Sequence, residues 1–306
     1  MTIQVNDKKV PADSLQLRVI SAVILAPVVL GVVYLGGNAL LLLVLVIAAA
    51  ITWEWNRLTN VAGSTGYLYH LLYISATFSA LAFTALGMPL VGIVIILAGA
   101  IVVGLAGFIS ISRSAESAWL DGAGILYIGL PLLSLLWLRL EGGAVAVYWI
   151  FLVIWSMDIG AYFVGRNIGG PKMAPRFSPN KTWSGLIGGS LCAGLVGWLI
   201  MSPLGMDVML QNYAVGEGSA GSGIVAGRVN GLVIGLAAVF LGLWSQVGDI
   251  TESAMKRRAG VKDSSRLIPG HGGVMDRLDG LLFALPIAAI IMLIINLNVV
   301  PGGFGG

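Results

Sequence analysis

Runs such as ALLLLVLVIAAAI, residues 39–51, recur along most of the chain and decide what it can fold into. A bilayer core about 30 Å thick needs roughly 20 apolar residues per helix. Nine stretches meet that need, near 19–36, 38–55, 68–87, 89–110, 122–140, 144–165, 185–203, 229–248 and 280–300. With 58% of its 306 residues hydrophobic and only 10% charged, the chain is too apolar for a water-soluble core. Inside lipid, backbone polar groups must be satisfied within their own segment, so these stretches read as helices. The expected fold is an all-α, polytopic integral membrane protein of nine spans. Glu54 and the Arg139/Glu141 pair interrupt the ends of the second and fifth spans.

Alternate connections of such a chain face opposite sides of the membrane, which the charges can check. Residues 1–18 and the even-numbered connections hold 15 of the 17 Lys and Arg residues, leaving Arg139 and Arg228 on the other side. The positive-inside rule then places the N-terminus and the large basic loops in the cytoplasm, as in a bacterial inner (plasma) membrane, and the final PGGFGG outside. The first span follows a polar start without a convincing small-residue cleavage site, so it is expected to be retained. The single cysteine, Cys192, lies in the seventh span; it allows no internal disulfide and no cysteine metal cluster, and reads as a buried thiol.

The chain divides into a cytoplasmic segment, 1–18, spans one to five over 19–140, and a region of spans six to nine over 141–306 with loops 166–184 and 249–279. No stretch outside the membrane is long enough to fold alone, so any chemistry happens at the membrane surface. Residues 212–228 are rich in Gly, Ser and Ala and read as a flexible connector. Trp53, Trp55, Tyr67, Tyr69 and His70 suit the membrane interface.

The polar residues crowd into KDSSRLIPGHGGVMDRLDG, residues 262–280, and the end of the eighth span. Asp249, Ser253, Lys256 and Arg257 share one face if that helix continues past the bilayer. Pro269, Gly270, Gly272 and Gly273 then break the helix and let backbone N–H groups approach a ligand. Asp276 and Asp279 open the ninth span on one face, at the end of a helix that favours negative charge. Helix capping alone accounts for much of this, and about equally well for Arg258, Lys262 and Arg266. It accounts poorly for Asp249 and Asp276, because a carboxylate beside hydrocarbon is costly unless paired or bound to a cation. Oxygen ligands without paired Cys or His point to a hard ion such as magnesium, and neighbouring Lys and Arg point to phosphates.

The other loop adds Asp158, about 12 Å into the membrane from Arg166 at 1.5 Å per residue, either a functional acid or a partner for another helix. Ser178 and Pro179 read as the N-cap and first turn of the seventh span, with Lys181 beside them. Lys181-Thr182 lacks the glycines of a nucleotide-binding P-loop.

Ser253-Ala-Met-Lys256-Arg257, then Lys262-Asp263, then His271-Gly272-Gly273-Val-Met-Asp276-Arg277-Leu-Asp279 together resemble the signature of the phosphatidate cytidylyltransferase (CDP-diacylglycerol synthase) family. DIGAYFVGR and SPNKTW extend the resemblance over roughly residues 150–300, and Ser184 departs from it where an acid is expected. The resemblance implies a magnesium-dependent enzyme that converts CTP and phosphatidic acid to CDP-diacylglycerol and pyrophosphate at the bilayer, as a homodimer, with no nucleic acid partner. It implies Asp249 and Asp276 as ligands of Mg2+, with room for a second cation such as K+. Lys256, Arg257, Lys262 and Arg277 would hold phosphates, Ser253, Asp263 and Asp279 would support them, and Ser178, Lys181, Asp158 and Arg166 would close the site. His271 is either a phosphate-binding or loop-ordering residue or a general acid. A CTP-dependent lipid kinase shares the nucleotide and metal, and a cation-coupled transporter shares an intramembrane acid.

Overall fold

The computed structural model describes residues 12–59, 63–109, 115–201 and 231–299. Residues 1–11, Arg113, Arg228, the connector 212–228 and PGGFGG lie outside the described residues. The described chain forms α1 (Ala12–Leu35), α2 (Gly37–Leu58), α3 (Gly63–Ala85), α4 (Pro89–Ile109), α5 (Ala115–Ile168), α6 (Trp183–Ile200), α7 (Gly231–Arg258) and α8 (Met275–Val299). Strands β1 (Lys172–Ala174) and β2 (Ser178–Thr182) form an antiparallel hairpin between α5 and α6. Among the described residues, seven helices are long and apolar enough to cross a membrane, and α1 adds a shorter apolar stretch, Val23–Leu35. The chain is an all-α polytopic membrane protein.

At 54 residues, an unbroken α5 would run about 80 Å, far more than one bilayer. At Gly143 the backbone takes φ 68 and ψ −172, which glycine adopts without strain, and the chain turns back. Tyr127 on the first arm packs on Phe283 near the start of α8, Gly142 abuts Met292 farther along it, and Asp158 on the second arm returns to a cleft that Asp279 also lines. The arms are the fifth and sixth expected spans. With α1 included, the helices match the nine expected stretches one for one.

Val44, Ile51, Leu81, Ile96, Ile125 and Ile150 are buried between helices, whereas Leu42, Val46, Leu90, Val94 and Leu105 stand exposed on the outside, where lipid meets them. Lipid offers no hydrophobic drive to pair helices, so close packing must do it, and small residues permit that approach. A Cβ on Gly165 would stand 3.4 Å from the Gly185 Cα, and one on Gly185 would stand 2.7 Å from the Ala161 carbonyl oxygen. This contact seats α6 against the second arm of α5 and fixes where the β-hairpin carries Lys181. Gly248 on α7 lies against the Asp279 backbone, and Gly280 on α8 against Ser245. Their neighbours Asp249 and Asp279 are thereby brought side by side.

One sequence expectation is corrected here. Ser178 does not cap a helix; it starts β2, paired with Ala174. The cap of α6 is Thr182, whose hydroxyl accepts from the Gly185 N–H at 3.1 Å. Pro179, with no N–H to donate, is tolerated in a two-stranded edge, and the extended segment carries Lys181 to its partner before the helix begins.

The ends of α2, α7 and the second arm of α5 meet the starts of α6 and α8 at one end of the bundle. Arg57, Arg166, Lys181, Lys256 and Arg277 all lie there. Arg139 lies at the opposite end, donating to the Val33 and Tyr34 carbonyls at 2.7 and 2.9 Å.

Candidate active site

Two acid–lysine units sit where α7 meets α8. Lys256 Nζ lies 2.6 Å from Asp276 Oδ1 and 3.2 Å from Glu252 Oε1, with both acids almost wholly buried. One turn deeper, Asp249 binds Lys181 Nζ through Oδ2 at 2.5 Å and lies within hydrogen-bonding reach of Asp279. Four carboxyl groups share two ammonium groups here. The contact between Asp249 and Asp279 needs a proton or a cation between the two acids, because bare charge at membrane depth is stable only when paired.

The loop between α7 and α8 wraps around Asp276. Its Oδ2 accepts from the Gly273 N–H at 2.8 Å, the Ser264 N–H at 2.9 Å and the Ser264 hydroxyl at 3.0 Å. Gly272, at φ 89, is in the left-handed region, and a Cβ there would stand 2.9 Å from Asp276 Oδ2. The loop therefore needs glycine both for its turn and for its approach to the acid. Beneath it, the wholly buried Glu54 of α2 accepts from the Ser265 hydroxyl at 2.5 Å, the Val274 N–H at 2.9 Å and the Met275 N–H at 2.7 Å, and its Oε2 lies 3.2 Å from the Ser264 hydroxyl, whose one proton is shared between Glu54 and Asp276.

His271 Nδ1 lies 2.7 Å from Ser21 Oγ of α1, and the Arg277 Nε–H donates to the His271 carbonyl at 3.0 Å. Asp158 accepts from Gln246 Nε2 at 2.9 Å. Ser21, His271, Arg277, Asp158 and Asp279 line a cleft of about 310 Å³ together with apolar residues of α1, α5 and α8, among them Leu25, Val29, Phe151, Trp155 and Leu281. An apolar cavity with a few convergent polar groups is the usual form of a small-molecule site. This one opens onto the carboxylate cluster through Asp279.

The structure thus brings Lys181, Asp249 and Asp279 into one contacting set and Lys256, Glu252 and Asp276 into another, with Asp158, His271 and Arg277 at the cleft. Ser253 is half-buried on α7, and Lys262 and Asp263 are exposed on the loop. Arg257 turns back to the Val261 carbonyl at 3.3 Å, and Arg166 folds onto Tyr162 at 2.5 Å. Neither arginine contacts the carboxylates. Ser184 donates to the Gly169 carbonyl and lies 3.1 Å from Thr182 Oγ1, closing the base of the hairpin.

A profile of the cytidylyltransferase family matches residues 16–295. The chain belongs to that family. It is a nucleotidyltransferase, and the cluster of lysines and acids lies within the matched region. A phosphatidate cytidylyltransferase of Brucella suis is 36% identical over 281 residues, 89% of this chain and 91% of the relative. One from Staphylococcus epidermidis is 36% identical over 169 residues, 55% of this chain and 56% of the relative. One from Haemophilus influenzae is 40% identical over 144 residues, 47% of this chain and 44% of the relative.

Two acids of this cytidylyltransferase carry more than the sequence pattern assigned them. Glu54 read as a charge clipping the end of a span, yet the cost of a carboxylate near hydrocarbon, which singled out Asp158, applied to it equally. Glu252 lies three residues after Asp249 and four before Lys256, a helical spacing that already joined it to the same stripe.

Proposed function

We propose that the chain transfers the cytidylyl group of CTP to phosphatidic acid, giving CDP-diacylglycerol and pyrophosphate. The observation that carries this reading is the continuity between the apolar cleft and the lysine–carboxylate cluster. An anionic lipid needs hydrocarbon walls and phosphate-binding cations within one molecule's reach, and the similarity to phosphatidate cytidylyltransferases points to the same substrate.

A phosphate monoester is already anionic near neutral pH, so no strong base is required. A lipid phosphate oxygen attacks the α-phosphorus of CTP, the bond to the bridging β-phosphate oxygen breaks, and pyrophosphate leaves. The barrier is the repulsion between two anions, and fixed positive charge lowers it. Lys181 and Lys256, tied to carboxylates at the end of the bundle, hold phosphate oxygens when substrates bind; Lys262, Arg257 and Arg277 extend that field. His271 orders the loop through Ser21 and Arg277.

The donor set fits magnesium. Among the described residues no three acids, histidines or cysteines converge as a metal cluster, but magnesium usually takes one or two carboxylates and completes its shell with water and substrate phosphates. Asp249 and Asp276 are each paired here with a lysine ammonium, a charge that a bound cation would supply in its place. Those two acids would hold the ion, which when bound neutralises phosphate charge. The site faces the cytoplasm of a bacterial inner membrane, the side that the positive-inside rule assigns to the basic end.

Purified protein given CTP, magnesium and phosphatidic acid should form CDP-diacylglycerol and pyrophosphate in equal amounts. Formation of CDP with a newly phosphorylated lipid alcohol would instead mark a kinase.

A further inference from the structure

Glu54 stands far from the signature in sequence and on a helix of the other half of the chain, yet it is the hub of the loop that carries the signature. Its two oxygens receive the Ser265 hydroxyl and two backbone N–H groups, and share the single proton of the Ser264 hydroxyl with Asp276. The N–H groups belong to Val274 and Met275, where α8 begins, and are orphan donors that a helix start must satisfy from elsewhere. A carboxylate at that point also complements the helix dipole. The cap is supplied not by a neighbouring residue but by a different membrane helix.

The geometry points to Glu54 as a positioning residue for catalysis, which sets the place of the Asp276 carboxylate through Ser264 and the first turn of α8. Ser264 connects the two acids directly, because its hydroxyl lies 3.2 Å from Glu54 Oε2 and 3.0 Å from Asp276 Oδ2. The Ser264 N–H completes the link at 2.9 Å from Asp276. Gly273 supplies an independent sign of the same design. A Cβ at 273 would collide with both Ser264 Oγ and Glu54 Oε1, so the second glycine of the His-Gly-Gly run is the space that the Glu54 carboxylate occupies. An acid held at the buried end of α2 gives the loop a fixed floor that a solvent-facing cap could not.

A carboxylate is required, not merely a polar group. Glutamine in the same volume offers one acceptor oxygen and an NH2 that confronts the donors already present, leaving buried donors unpaired. Displacement of a reacting group by about 1 Å can cost up to about a hundredfold in rate.

The role rests on the functional reading proposed above, and the test separates the two. Glu54→Gln is compared with the wild type in detergent for turnover, for CTP KM, for the folded fraction by size exclusion, and for hydrogen exchange of the segment 264–276. The expected result is a kcat lower by about ten- to a hundredfold, CTP KM little changed, the folded fraction retained and exchange raised at Val274 and Met275. Adding Ser264→Ala to Glu54→Gln should then lower kcat by less than Ser264→Ala does alone, because both act through one connection. Wild-type kcat in Glu54→Gln, or a fall no larger than the loss of folded protein, overturns the proposal. If Glu54→Gln does not fold, Ser265→Ala removes one donor and leaves the cap in place; it should lower kcat severalfold with raised exchange across 264–276, and unchanged values overturn the proposal. A wild type that made no CDP-diacylglycerol would sink the functional reading, while the exchange measurement would still decide whether Glu54 holds the loop.

Discussion

Lys256 Nζ lies between two acids, 2.6 Å from Asp276 Oδ1 and 3.2 Å from Glu252 Oε1, where the ammonium serves as internal counter-ion for both helices. Removing one member of a buried ion pair costs about 3–5 kcal/mol, because the charge left behind is uncompensated. Lys256→Met should therefore lower thermal stability in detergent and abolish turnover. Adding Glu252→Gln removes one stranded charge and should restore part of the stability but none of the activity. Recovery of both together would mean that Lys256 is only structural.

Asp276 has a different balance. Asparagine preserves its size and one acceptor, so Asp276→Asn should remain folded by size exclusion. It loses the charge that both Lys256 and a bound cation require, and turnover at ordinary magnesium should fall by at least about a hundredfold. Wild-type activity would remove Asp276 from the metal site. EDTA should likewise silence the wild type, and added magnesium should restore it.

The fold was legible in the sequence because the bilayer is an unforgiving solvent. Apolar length determined the spans, and even the return of α5 at Gly143 fell between two expected stretches. Asp249 and Asp276 were legible because charge near lipid needs a reason, Lys256 through its helical spacing from Asp249, and Lys181 through the resemblance of SPNKTW to the family. Glu54 was not, because its partners lie some 210 residues away in sequence, between Glu54 and Ser264, and neither periodicity nor local spacing reports a contact of that range. Ser178 misled for the converse reason. A Ser-Pro pair ahead of an apolar run has the local chemistry of a helix start, but pairing with β1 and the reach of Lys181 to Asp249 overrode it.

The side of the membrane can be read by labelling. Ser265 is buried against Glu54, so the exposed Arg266 is the better probe of the loop. In a Cys192→Ala background, Arg266→Cys should react with an impermeant maleimide only in inverted vesicles, and Ala220→Cys only in intact spheroplasts. The reverse pattern would overturn the proposed orientation.

The cleft offers a test of the lipid itself. Ala26 of α1 lines it, as do Phe151 and Ile154 of α5. A larger side chain at 26 should crowd the hydrocarbon while leaving the lysines and acids in place. Overpacking of this kind costs about 1–3 kcal/mol, so Ala26→Phe should raise KM for long-chain phosphatidic acid by about tenfold or more. A phosphatidic acid with very short acyl chains would not reach that wall, and its KM should barely change, nor should that for CTP. Equal losses with both lipids would place the acyl chains elsewhere. A loss confined to CTP would make the cleft part of the nucleotide site.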